Sequence, residues 1–406
     1  MSTRKEKIPI VRFRAFSEPW FQNQLSEVAE FSKGRGYSKK AIQPQGTPII
    51  LYGRLYTKYE SVISNIDTYA NMEKNSVISE GGEVIIPASG ESAAEISRAS
   101  CVTDGGVILG GDINIVKPHE NLDPSFIAIT LSNGSQQREL SKRAQGKSVV
   151  HLHNSDLKAV KLFYPSYEEQ SAIGSLFRTL DDLLASYKDN LANYQSLKAT
   201  MLSKMFPKAG QTVPEIRLDG FEGEWKKLKL REVVHTNPKS ELPENFKYID
   251  LESVVGTRIE KIREERKESA PSRAQRLAKK GDVFYQTVRP YQKNNYLFKL
   301  DEIDYVFSTG YAQLRPICKR CDSDFLLILL QNNRFLNKVL DRCTGTSYPA
   351  INVNDLIEIL IAIPSYEEQQ AIGSYFSTLE NVINSHQEKI SQLETLKKKL
   401  LQDMFI

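Results

Sequence analysis

The chain has 406 residues, with 54 Lys plus Arg against 50 Asp plus Glu, a formal net charge of +4 and a pI near 8.6. At roughly 100–200 residues per domain this length predicts two to four domains, and 40% hydrophobic with 9% aromatic residues excludes a wholly disordered chain. The charge alone is too weak to argue for nucleic acid, four cysteines argue against a disulfide scaffold and for a reducing cytoplasm, and no apolar run approaches a membrane span.

In chain order, the first residues are basic (Arg4, Lys5, Lys7), and Arg12 and Arg14 interrupt any signal-peptide core. Lys33 to Lys40 packs four cations, two glycines and Tyr37 into eight residues. Glycine amides can approach a phosphate closely, and cations displace counterions from it. Thr47 to Gly53 and Gly82 to Pro87 read as short strands bounded by turn residues. Between them, Gly53-Arg54-Leu55-Tyr56-Thr57-Lys58-Tyr59 repeats the cation–aromatic mixture. Asp123-Pro124-Ser125-Phe126 resembles the catalytic loop of amino-methyltransferases but lacks its second proline, and no glycine-rich cofactor loop accompanies it. Gly146-Lys147-Ser148 ends like a phosphate-binding loop, yet Ser141 stands where that loop needs glycine. His151 and His153 share one face if Val149 to His153 is a strand; they read as surface or groove residues. Glu168 to Phe206 contains no proline and a single glycine, and predicts a helix of thirty-nine residues, about 58 Å long.

The second half continues with Arg258 to Lys280, where nine cations face four acids. Gly281 to Tyr285 and Gly310 to Pro316 read as strands. The intervening Thr287 to Asn295 offers Arg, Gln and Asn, side chains suited to guanine and adenine edges. Cys318-Lys319-Arg320-Cys321 has metal-knuckle spacing without a second pair, and reads as two ordinary thiols. Phe325 to Leu340 predicts a helix, and Gly345 to Pro349 a turn whose hydroxyls and amides could meet phosphate.

The chain also repeats itself. Pro165-Ser-Tyr-Glu-Glu-Gln-Ser-Ala-Ile-Gly-Ser175 returns as Pro364-Ser-Tyr-Glu-Glu-Gln-Gln-Ala-Ile-Gly-Ser374, ten of eleven positions identical at an offset of 199. Phe16-Ser-Glu-Pro-Trp20 matches Phe221-Glu-Gly-Glu-Trp225 at an offset of 205, and Met205-Phe206 returns as Met404-Phe405. A period near 200 residues is too long for a solenoid; it means two copies of one domain-plus-helix unit. In the helices, Ile173, Phe177, Leu180, Leu184 and Leu191 step by 4, 3, 4 and 7, continuing through Tyr194, Met201 and Met205. Ile372, Phe376, Leu379, Ile383 and Ile390 do the same in the second copy, with Lys198 and Lys397 as equivalent polar breaks. These are heptad seams. An isolated seam would leave an apolar stripe in water, so each helix is the obvious partner of the other; the alternative is packing on its own globular domain.

These repeated motifs make the chain resemble the specificity subunit of a type I DNA restriction–modification system, over essentially its whole length. The expected fold is α+β, with two globular target-recognition domains (1–160 and 207–360) alternating with two helical spacers (161–206 and 361–406) that pair as an antiparallel coiled coil. The resemblance implies that each domain reads one half of a bipartite double-stranded DNA target. It implies that the helices set the spacing and dock methyltransferase (modification) subunits. It places S-adenosylmethionine on those subunits, and ATP and Mg on restriction/translocase subunits, with no catalytic residue, metal or cofactor in this chain, no membrane, and a cytoplasmic setting. Base-contacting residues vary with target in this family, so the candidates rest on loop composition. They are Lys39, Lys40, Arg54, Tyr56, Lys58 and Lys147 in the first domain, and Arg289, Lys293, Asn294, Thr346, Ser347 and Tyr348 in the second. A coiled-coil protein–protein adaptor without a DNA role is the alternative from the sequence. A fused restriction–methylation enzyme is disfavoured by the missing catalytic motifs.

Overall fold

The computed structural model describes residues 8–146, 149–345 and 347–406. The chain divides into two compact units, Met1–Lys188 with Glu388–Ile406, and Asp189–Gln387. Each unit therefore holds one globular domain, the first half of the helix that follows it, and the last half of the other helix.

One frame underlies both units. In the first, strands Ala29–Lys33, Ile113–Pro118 and Glu83–Pro87 are neighbours in an antiparallel ladder. In the second, Val234–Thr236, Tyr311–Pro316 and Val283–Gln286 repeat that ladder. The strand Phe21–Gln24 pairs with Lys161–Tyr164 in one unit, and Lys226–Lys229 with Leu360–Ile363 in the other. Helices Pro124–Leu131 and Ser323–Gln331 follow the central strand in each copy. Asp123 and Asp322 cap them by accepting from the amides of Phe126 and Phe325. Asp123-Pro124-Ser125-Phe126 is thus a helix start, with proline at the first turn where its missing N–H costs nothing.

Beyond this frame the copies diverge. The first unit adds strands Ser100–Val102 and Val62–Ile63 to its sheet, and a second sheet in the order Ile108–Leu109, Thr47–Ile50, Tyr69–Ala70, Ile42–Gln43. The second unit adds only Tyr296–Leu297 to its ladder and builds a separate sheet from Arg263–Arg266, Asn245–Ile249, Tyr305–Ser308 and Ala274–Leu277. The helix expected over 325–340 is two helices, Ser323–Gln331 and Asn333–Leu340. Asn332 breaks them with an extended backbone, caps the second by accepting from the Arg334 amide, and donates to the Leu202 carbonyl. The strand expected over 149–153 shortens to Val150–His151.

The long helices run Tyr167–Lys204 and Tyr366–Asp403. Within each unit the two helix segments lie antiparallel. In the first, Lys188 pairs with Glu394 and Lys397 with Asp181. In the second, Lys198 pairs with Glu380, and Tyr194 meets the His386 ring at 5.2 Å. The two polar breaks of the seams, Lys198 and Lys397, are therefore answered by equivalent acids. The seam is not a coiled-coil interface alone. Ile173, Phe177, Leu180 and Leu184 join one core with Phe126 and Leu162 of the globular domain and with Leu393, Met404 and Phe405 of the second helix. Ile372 and Phe376 likewise join Phe325, Trp225, Met205 and Phe206. Both expected partners, domain and helix, share the stripe; Leu191 and Ile390 farther along are only half-buried.

The copied helix start is a hub of buried polar contacts. Glu169 is 1% exposed and receives a two-pronged Arg12 contact at 2.7 and 2.6 Å; Glu368 receives Arg217 at 2.8 and 2.6 Å. The same arginines donate to the Glu18 and Glu222 carbonyls just before the two tryptophans. Buried Gln170 accepts from the Asp123 amide and donates to the Pro165 carbonyl, and Gln369 does the same with Asp322 and Pro364. Gly174 and Gly373 let the helix pass close to the capping aspartates, since a Cβ would sit 3.2 Å from Asp123 Oδ1 and 2.9 Å from Asp322 Oδ1. Each motif is a joint between long helix, domain helix and entry loop.

Candidate nucleic-acid interface

Exposed cations are the raw material for phosphate contact, and the frame places them in loops. In the first unit the loop after strand Ala29–Lys33 carries Arg35, Lys39 and Lys40, all exposed and without an ion pair among the described residues. Tyr37, in the left-handed region at φ 61°, anchors that loop through its hydroxyl to the Asn71 carbonyl. Lys58 is exposed but paired with Asp67 at 3.2 Å. Arg54 is turned inward: its side chain is 8% exposed and held by Glu60 at 2.7 Å, Asp67 at 3.0 Å and the Asn65 carbonyl. Tyr56 donates its hydroxyl to the Ser89 carbonyl, and burial pushes that hydroxyl above the usual tyrosine range. Arg54 and Tyr56 thus spend their polar groups on partners within the domain. Lys147 and Thr346 lie outside the described residues.

In the second unit two loops meet. Val288 bridges Ala350, and the Arg289 amide donates to the Pro349 carbonyl at 2.7 Å. The guanidinium of half-buried Arg289 lies 4.2 Å from the centre of the Tyr348 ring, which is 63% exposed. Ser347 beside it is exposed, as is Tyr291. Arg289 and Lys293 bracket a short turn, Pro290–Gln292, and both are left-handed, at φ 53° and 55°. Side chains without glycine's freedom hold that region only when surroundings enforce it. Here the Lys293 ammonium donates to the Gln331 carbonyl at 2.8 Å and to Asn333, Gln331 donates back to the Lys293 carbonyl, and Gln286 donates to Gln292. Burial, with Lys198 nearby, holds the Lys293 ammonium below its usual range. Asn294 accepts from the Gly256 amide. Lys293 and Asn294 are therefore braces of this turn, whereas Arg289, Ser347 and Tyr348 face outward together.

The basic stretch 258–280 is less cationic than its count. Arg263 pairs with Asp250 and lies over the Tyr248 ring, Lys267 pairs with Glu244, and Lys280 with Asp301. Cys318 is exposed but Cys321 is buried, and burial pushes its thiol up to about 12. Among the described residues no group of three or more His, Cys, Asp or Glu could hold a metal ion. His151 and His153 stack in parallel at 6.3 Å on the surface. No helix among the described residues is long and apolar enough to cross a membrane.

The residues missed by loop composition are the joint residues Arg12, Glu169, Gln170 and their copies. Their signal was present in the repeat, which preserves polar residues that a solvated face has no reason to keep.

Two segments, residues 17–193 and 222–395, match the family described as the type I restriction modification DNA specificity domain. The chain is similar to the MjaVIII specificity subunit of a type I restriction enzyme from Methanocaldococcus jannaschii, at 22% identity over 402 residues, 95% of this chain and 91% of that one. It is also similar to the HindI specificity subunit of Haemophilus influenzae, at 28% identity over 140 residues, 34% of this chain and 30% of that one. The crystal structure of a type I restriction-modification S subunit from M. genitalium shares the fold, with a TM-score of 0.64 at 15% identity over 98% of this chain and 99% of that one. The family match falls once on each copy of the frame and leaves out little but the entry loops and helix ends. The chain belongs to the type I restriction-modification DNA specificity family, as a non-catalytic specificity subunit with two target-recognition domains.

Proposed function

We propose that residues 1–160 and 207–360 are the recognition domains, and that each reads one half of a bipartite duplex target. The helical regions 161–206 and 361–406 fix the gap between the halves and dock the modification subunits. Those subunits supply S-adenosylmethionine chemistry; restriction subunits supply the ATP- and Mg-dependent steps, all in the cytoplasm. The observation that carries this reading is the contrast between copied joints and uncopied outward loops. A shared frame with two different loop sets suits one complex that reads two different sequences. Within it, Lys39, Lys40 and Lys58, with Lys147, supply phosphate contacts in the first domain; Arg289, Ser347 and Tyr348, with Thr346, face DNA in the second. Phosphate contacts set register and base contacts set sequence.

The test is methylation mapping of a host with and without this chain, alongside its modification subunits. The expected result is a two-part motif that vanishes when the chain is removed. A one-part motif, or a motif indifferent to the chain, would overturn the reading. Inserting seven residues into either long helix should change the tolerated gap.

A further inference from the structure

Resting on that reading, we propose that Arg289 reads a guanine in the half-site of the second domain, and that Tyr348 is the positioning residue that holds its guanidinium for the purpose. The corner is built the same way in both copies. Ser89 and Gly90 pair with His151 and Val150, as Val288 and Arg289 meet Ala350 and Pro349. At the offset of 199, Arg289 corresponds to Gly90 and Tyr348 to Val149. A base contact is where two copies reading different bases must differ. The backbone corner is kept, and its two outward side chains are replaced.

The chemistry of the pair fits a base edge. The guanidinium carbon lies over the Tyr348 ring, 4.2 Å from its centre, and the N–H groups have no protein acceptor among the described residues. The ring contact holds the guanidinium at this corner, and its planar fork can donate to two acceptors lying in its own plane. Guanine presents such a pair, O6 and N7, in the major groove. The left-handed backbone at Arg289 is held by the Pro349 contact and by the Lys293 brace at the far end of the turn, so the side chain leaves from a fixed point of the corner.

The experiment uses the full chain assembled with its modification subunits, read by methylation mapping and by duplex binding across a salt series. Arg289→Lys keeps the charge and removes the fork. It should lower the preference for guanine at one position of one half-site by about tenfold to a hundredfold, with the salt slope unchanged. Tyr348→Leu should relax the same position by about two- to fivefold, and Tyr348→Phe should leave it intact. The other half-site, methylated as before, reports that each variant has folded. A full guanine preference in Arg289→Lys would overturn the proposal. So would Arg289→Ala weakening all sequences equally and lowering the salt slope by about one, which marks a phosphate contact. Loss of the two-part motif in the unaltered complex would instead remove the reading on which the proposal rests.

Discussion

The corner after the Glu83–Pro87 strand and its copy after Val283–Gln286 share their backbone bridges but not the side chains mounted on them. In the first unit Gly90 lies so close to the Tyr56 hydroxyl that a Cβ would come within 2.8 Å of it. Tyr56 covers that corner and caps the Ser89 carbonyl. In the second unit no such cover exists among the described residues, and Arg289 stands over Tyr348 at the surface. Set beside the joints, where Arg12–Glu169 and Arg217–Glu368 are near copies, the corners show how a duplicated chain divides its positions. Residues that hold helix to domain are kept because their partners are also kept. Residues that face outward answer to something outside the chain.

The largest test of that division is the joint. Glu169→Ala and Glu368→Ala each leave a part-buried arginine without its carboxylate. Each should cost about 3–5 kcal/mol, by the same amount in both units, measured by denaturant unfolding. A large loss in one unit and none in the other would break the equivalence. Phe206→Ala and Phe405→Ala remove rings stacked at 5.9 Å on Phe325 and Phe126, and should each cost about 3 kcal/mol or more.

The glycines sharpen the comparison, because here the copies are not equal. A Cβ at Gly373 would meet Asp322 Oδ1 and Asp324 Cβ at 2.9 Å, whereas at Gly174 the nearest atoms are 3.2 and 3.4 Å away. Gly373→Ala should destabilise by about 1–3 kcal/mol. At Gly174 the gain of about 1 kcal/mol in helix propensity offsets most of a milder clash, and the thermal midpoint should barely move. The smallest effect belongs to the seam breaks. Lys198→Met and Lys397→Met remove half-exposed pairs and should each change stability by less than about 1 kcal/mol, the difference shrinking further in high salt.

Much of the fold was legible because the chain is written twice. The repeat located both helix starts, the heptad steps located both long helices, and glycine- and proline-bounded runs located Glu83–Pro87, Val283–Gln286 and Tyr311–Pro316 of the frame but not its other strands. The loops were legible only as composition. Arg54 and Arg289 both sit in cation–aromatic segments just after a strand, yet one is locked among Glu60, Asp67 and the Asn65 carbonyl and the other faces outward. No local pattern separates them, since the acids that capture Arg54 come from a later turn.

The doubling and the two long helices were fixed by the sequence alone, because helical periodicity and a repeated motif are local. Only the tertiary structure decided that each seam is shared between a domain and the other helix, and which cations remain free of an acid. The first is settled by partners far along the chain, such as Phe405 against Phe126, and the second by how a following turn folds back, as Asp67 does on Arg54.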